Sequence, residues 1–343
     1  MHQLINSLKF AEISDVIFSE DLTIDQFNKK HLSKVHILEK SKRVKYINLE
    51  FTLSHGDVIF CSTEHLKLLF KLLKNVTKYK NLILITSQSD IEIDRSLLNK
   101  LPECFSKWFC INSKINEGKI ITIPLGVAND YDKNLLEYEI SYDPKNFFKS
   151  KKYLLYVNFN VNTNRRVRKP IYELFKNDNN YLVTEYNSDK KSYKNNLINS
   201  NFVLCPEGNG LETHRFWETL YSGSIPIVKK SSGYEGFKDL PILFVNNFED
   251  LNSEVLKDSL NNFREMGVNL DSLDFDYWNK LIIETKQNQK NEESHNLIIK
   301  ISNPTLKYYL FLNNFNIAKN KFYKYINKKY WQFKKLVMFL NKF

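Results

Sequence analysis

Two successive series of short apolar runs, alternating with helical patterns, constrain this chain more than any other feature of its sequence. In the first half, Asp57–Cys61, Asn81–Thr86 and Lys119–Ile123 are such runs, and the helical spacing Glu64–Leu73 falls between the first two. In the second half, Tyr153–Val157, Tyr181–Thr184, Asn201–Cys205, Ser224–Val228 and Ile242–Val245 alternate with helical patterns over Arg166–Phe175, Tyr193–Asn199 and Thr213–Ser222, with further helices from Leu251 and Tyr277. Runs that are apolar throughout belong to strands covered on both faces, and strand–helix alternation predicts mostly parallel sheets.

Between Leu135 and Lys152 the pattern lapses into polar residues and Pro, which reads as a linker. The expected organisation is a first α/β domain over 1–140, a second over 150–300 and a tail over 301–343, which 343 residues accommodate. Ligands of such sheets sit beyond the carboxyl ends of the strands, so two of them predict a site in the cleft between.

The net charge of +11 does not belong to these domains: residues 307–343 hold nine lysines and no acid, and subtracting nine leaves +2 for the rest. From Lys319, Phe322, Ile326, Phe333, Leu336, Val337 and Leu340 gather on one side of a helical wheel, with Lys321, Lys324, Lys328, Lys335 and Lys342 on the other. A basic amphipathic helix with aromatic residues suits an anionic membrane surface. A Lys-rich tail without a nucleic-acid motif argues against nucleic acid as the partner. No run reaches the about eighteen apolar residues of a spanning helix. Met1–Glu20, with three acids, does not read as a secretory signal. The expected location is therefore cytoplasmic, peripheral on the inner face of the membrane. Cys61, Cys104, Cys110 and Cys205 form no Cys-x-x-Cys pair and read as buried, reduced thiols.

The chemistry is concentrated between Asn201 and Val228. An apolar strand ends at Pro206, and the turn Glu207-Gly208-Asn209-Gly210 follows, of residue types that tolerate positive φ. A helix then begins near Thr213, so its free N–H groups face the same loop. His214, Arg215 and Glu218 fall on one helical face, Trp217, Leu220 and Tyr221 on the other, and Gly223 ends the helix. A departing nucleoside diphosphate needs cations and N–H donors, which Arg215 and the loop supply. A carboxylate such as Glu218 suits paired ribose hydroxyls. A surface ion pair between Arg215 and Glu218 is the plain alternative.

This stretch resembles the donor-site region of exostosin-type glycosyltransferases, in Pro206–Gly210, His214–Glu218 and Gly223–Val228. Shorter echoes occur in the same order at Ser87–Asp90, Lys107–Asn112, Ile123–Gly126, Asn162–Arg168 and Phe275–Trp278. The resemblance implies a GT-B fold, two Rossmann-like domains facing a cleft, followed here by the C-terminal basic amphipathic helix. It implies a nucleotide-diphosphate sugar of UDP or GDP type as donor substrate, with no cofactor and no metal in the pyrophosphate site. The basic amphipathic tail adds the expectation of a glycan or lipid-linked glycan of surface polysaccharide synthesis as acceptor. Donor contacts are expected from Arg165, Arg168, Glu207, Gly208, Asn209, Gly210, His214, Arg215, Glu218 and Ile227, and catalysis from Arg215 with Asp90 as base. Gln88 departs from the family-like pattern and motivates the rival reading of a non-catalytic nucleotide-sugar-binding relative; a basic nucleic-acid-binding protein is the other rival. His55 and Asp57 are weaker candidate bases, and Asp274-Phe275-Asp276 is read as a helix start, not a metal site.

Overall fold

The computed structural model describes residues 3–128, 144–186, 189–230, 232–288 and 296–315, together with 318, 319, 322, 326 and 329. Residues 1–298 form one compact unit and residues 299–343 a second. Half of the expected linker and most of the amphipathic tail lie outside the described residues.

The first unit is built on two large sheets, of seven and five strands. Strands β1 (Val16–Thr23), β2 (Val35–Lys40), β3 (Arg43–Asn48), β5 (Val58–Ser62), β6 (Leu82–Ser87), β7 (Phe105–Cys110) and β8 (Ile120–Thr122) form the first, with β4 (Glu50–Leu53) outside it. Its order is β2-β3-β1-β5-β6-β7-β8. From β1 to β8 the neighbours are parallel, while β3 runs antiparallel to both β1 and β2. Every residue of β5 and β6 is buried, as their unbroken apolar runs require. The sequence had not disclosed β1–β4, because Glu20, Asp21, Glu39 and Lys45 interrupt the apolar pattern. Helices α1 (Ser7–Glu12), α2 (Ile24–Lys29), α3 (Leu66–Leu73) and α4 (Arg95–Leu98) connect these strands.

The second sheet is wholly parallel. Strands β9 (Tyr153–Val157), β10 (Leu182–Val183), β11 (Ser200–Leu204), β12 (Ile225–Lys229) and β13 (Leu243–Val245) lie in the order β10-β9-β11-β12-β13. Helices α5 (Arg165–Phe175), α6 (Lys190–Ile198), α7 (His214–Tyr221) and α8 (Ser253–Met266) alternate with them. This is the expected pair of Rossmann-like α/β layers. The core beneath α7 is aromatic: Trp217 stands edge-on to Phe216 and Phe237 at 4.9 Å each, and all three are buried.

Helix α9 (Phe275–Gln287) returns to the first half, where Lys286 pairs with Asp15 at 2.7 Å. Asp274 caps α9 by accepting from Asp276 N–H at 3.2 Å and also holds Gln3 N–H at 3.0 Å, while Asp276 accepts from the Gln3 side chain at 3.2 Å. Both carboxylates thus fasten the N-terminal segment. In the second unit, the helix over 303–315 exposes Tyr308, Phe311, Leu312 and Phe315. No described helix is long and apolar enough to cross a membrane.

Candidate functional site: a cleft between the two sheets

The carboxyl ends of both sheets meet at two adjoining cavities of about 480 and 570 Å³, a size that suits a small ligand. Thr163, Arg168, Thr213 and His214 line both.

The loop that leaves β11 forms one wall. Arg168, on α5, donates to the carbonyls of Glu207 (2.9 Å), Asn160 (3.0 Å) and Pro206 (3.1 Å), and Asn164, the N-cap of α5, donates to Gly208 O at 2.8 Å. A trans peptide directs its N–H opposite to its C=O. With the carbonyls of residues 206–208 tied back to α5, the N–H groups of Glu207, Gly208 and Asn209 turn the other way, and none of them meets a protein acceptor. Gly208, Asn209 and Gly210 line the cleft. Arg168, expected as a donor contact, lines the cleft and at the same time builds the loop through these carbonyls. Burial and the neighbouring Arg215 lower its guanidinium to about 10, which leaves it charged at neutral pH.

Neither loop glycine takes a positive φ, so the expected turn chemistry is replaced by a demand for space. A Cβ on Gly210 would stand 2.8 Å from Asn112 Oδ1. Gly223, at φ 67°, does end α7 in the left-handed conformation.

Helix α7 supplies the charged face. Its N-cap residue, Thr213, makes no side-chain cap, and its buried Oγ1 has no hydrogen-bond partner. His214 Nδ1 lies 2.7 Å from Gly126 O. A carbonyl only accepts, so Nδ1 carries the proton and, in the neutral ring, Nε2 remains an acceptor beside the cleft. Gly126 is required there: its φ is +67°, and a Cβ would fall 2.1 Å from Ile5 O.

Arg215 and Glu218 are not a direct ion pair. The Arg215 guanidinium stands 5.0 Å over the Tyr193 ring and donates to Tyr193 Oη (3.2 Å) and Asn158 Oδ1 (3.4 Å), while Tyr193 donates to Glu218 Oε2 at 2.7 Å. Burial holds the Tyr193 phenol well above its ordinary value, so it stays a donor. Asn158, at the end of β9, is itself oriented by bonds from its Nδ2 to Thr184 Oγ1 (2.7 Å) and Glu185 O (2.9 Å). Tyr193 and Asn158 carry no signal in the sequence that marks them out.

The opposite wall comes from the first sheet, where Gln88, Ser89 and Asp90 follow β6 and Asp21 and Arg43 lie beside them. Asp90 is exposed at this wall and has no ion-pair partner. Glu212, which carries no distinguishing signal in the sequence, joins the walls. Its carboxylate accepts from Asn112 N (3.2 Å) and Leu125 N (3.1 Å) after β7 and β8, and from Trp217 Nε1 (3.1 Å) on α7. Burial lifts its carboxyl to about 7, against the pull of those donors.

Three expected contacts fall elsewhere. Arg165 is exposed on α5 and lines neither cavity, because α5 turns position 168 and not 165 toward the loop. Ile227 is fully buried within β12, where it pairs with the core and not the cleft. Glu207 is half-buried, and its part in the loop is the carbonyl that Arg168 holds, while burial raises its carboxyl. His55 packs on Tyr79 at 4.5 Å and Asp57 accepts from Ser54 N at 2.7 Å, both away from the lining. All four cysteines are buried free thiols, and burial pushes Cys61 and Cys205 up to about 12.

Fold and site together define a two-layer α/β protein with an inter-sheet ligand cleft, one wall of which presents unpaired amides and two guanidinium groups. Residues 159–266, which carry that wall, match the RXYLT1 C-terminal domain, a glycosyltransferase domain family. This similarity supports sugar transfer as the general activity. Among solved structures the chain is similar to α,α-trehalose 6-phosphate synthase from Burkholderia multivorans, at 10% identity and a TM-score of 0.36, over 67% of this chain and 71% of that one. No curated protein matches the sequence.

Proposed function

We propose that the protein transfers a sugar from a nucleotide-diphosphate donor, of UDP or GDP type, to a hydroxyl of a glycan or lipid-linked glycan in surface polysaccharide synthesis. The observation that carries this reading is the loop after β11, whose carbonyls are tied to Arg168 and Asn164 so that its N–H groups are free for an anion. The start of α7 with the unpartnered Thr213 hydroxyl, and the Arg215 guanidinium, continue that cradle. Both phosphates of a leaving nucleoside diphosphate are thereby met by donors placed in advance of the charge they stabilise. Glu218, oriented by Tyr193, takes the ribose hydroxyls. Asp90 lies across the cavity as the group that accepts the proton of the acceptor hydroxyl, with His214 between the two halves.

The basic tail completes the reading. An exposed aromatic face over 308–315, continued by lysines without acids, suits attachment to an anionic cytoplasmic membrane surface, where a lipid-linked acceptor resides. A thermal-shift screen against UDP- and GDP-sugars tests the proposal: ligand-selective stabilisation is expected, since binding to the folded state alone raises Tm. A protein that no nucleotide sugar stabilises or loses to turnover overturns it.

A further inference from the structure

Gln88 carries two energetic costs, one in its backbone and one in its side chain. Its φ is +60°, one of only three non-glycine residues in the left-handed region among those described. A second of the three, Asn112, lies two residues past the end of the neighbouring strand β7. Left-handed backbone is unfavourable for a residue with a Cβ and is found where surrounding structure enforces it. The side-chain amide is equally constrained. Gln88 Oε1 accepts from Asp21 N–H at 2.8 Å, which fixes the amide's orientation, since only its oxygen can accept. Nε2 is then left buried with no acceptor in the protein. A buried donor without a partner is a cost that a bound oxygen removes.

The residue lines the first-sheet side of the cleft, opposite Gly208–Gly210 and beside Asp90. The charges on that side are nearly all spent. Asp21 holds Arg43 at 2.7 Å, and Glu64 holds Lys45 at 3.0 Å. Asp90 is left as the one uncompensated charge of this wall among the described residues, and it is negative. A phosphate or carboxylate brought here meets a like charge and no free cation, whereas a hydroxyl-rich ring meets a donor in Gln88 and an acceptor in Asp90.

We propose that Gln88 is the side chain that reads the acceptor, through a hydrogen bond from Nε2 to an acceptor oxygen, and that this wall selects an uncharged, hydroxyl-bearing sugar over an anionic one. The inference rests on the sugar-transfer reading and deepens it by naming the acceptor class. Its step is binding alone, so no bond is made or broken at Gln88.

The test uses the full chain, a UDP- or GDP-sugar that stabilises it, and glucose, galactose and mannose as acceptors, each beside its 6-phosphate. Nucleoside diphosphate release with and without acceptor is the readout. The free sugars are expected to exceed their phosphates at least tenfold in kcat/KM. Gln88→Leu should raise the acceptor KM about fivefold to tenfold, the worth of one neutral hydrogen bond, while the donor KM stays within twofold. Gln88→Gly, which is relieved of the left-handed strain and so guards against a poorly folded Leu variant, should do the same. Acceptor KM unchanged in both variants, or phosphates used as well as the free sugars, overturns the inference while leaving donor turnover intact. A wild-type protein that neither binds nor turns over any donor instead removes the sugar-transfer reading, and this inference with it.

Discussion

At the scale of single residues, Arg215 holds its charge beside the cleft by leaning on the Tyr193 ring and giving hydrogen bonds to oxygens that are already oriented. A planar guanidinium held this way loses little freedom when it meets a phosphate. Arg215→Ala is expected to lower kcat about a hundredfold or more, and to cost about 1 kcal/mol of stability, the scale of the ring contact. Steady-state rates and denaturant titration of the same preparation separate the two. Tyr193 joins Arg215 to Glu218 through its hydroxyl, so Tyr193→Phe keeps the ring and deletes the link. Donor affinity should fall about fivefold, the worth of one such bond, with the Tm nearly unchanged; isothermal titration with the donor nucleotide is the check.

At the scale of elements, the apolar strands were legible because they are buried on both faces, and Phe202, Val203 and Leu204 have no alternative to the core. Strand β2, at the edge of its sheet, and β3 beside it were not legible, since their half-buried positions carry Lys, Glu and Arg, with Lys45 paired to Glu39 of β2 and Arg43 to Asp21 of β1, instead of alternating cleanly. At the site, His214, Arg215 and Glu218 were visible as one helical face, because a 3.6-residue period brings neighbouring turns together. Tyr193 and Asn158 were invisible because they reach Arg215 from other elements, α6 and the end of β9, and spacing along the chain says nothing of that meeting. The loop-building role of Arg168 was hidden for the same reason: sequence supplies a cation near the loop, but only the fold shows three carbonyls converging on it. That convergence makes a test. Lysine keeps the charge but offers a point of donors in place of a planar fork, so Arg168→Lys leaves at least one buried carbonyl without a partner. A loss of about 1–3 kcal/mol in stability is expected, together with weaker donor binding. Unchanged stability in a chemical denaturation series would show that the loop does not depend on the fork.

At the scale of the whole molecule, the tail and the clamp between the sheets make separate demands. Full-length protein should float with vesicles that contain anionic lipid and release as salt rises, while removal of 303–343 should abolish flotation; flotation that ignores lipid charge would remove the electrostatic account. The clamp is Glu212, which takes donors from both halves in one buried carboxylate. Its carboxyl is raised from 4.5 to about 7, with burial as the chief cause. A raised value means that the folded state binds the proton more tightly than the unfolded chain does. The associated stability is therefore fully present below the unfolded value, declines as pH rises through about 7, and is lost above it. The difference corresponds to roughly 3 kcal/mol between pH 4 and pH 8. Glu212→Gln cannot titrate; its NH2 accepts no hydrogen bond, whereas both oxygens of the protonated carboxyl still can, so the variant should be less stable at acidic pH. The informative quantity is the slope. Between pH 5 and pH 8 the wild-type protein should lose stability relative to the Gln variant, and the two denaturation midpoints should draw together. Parallel curves over that range would mean that Glu212 stays ionised throughout, held by its three N–H donors, and that the two sheets are joined by a permanent charge instead of a protonated bridge.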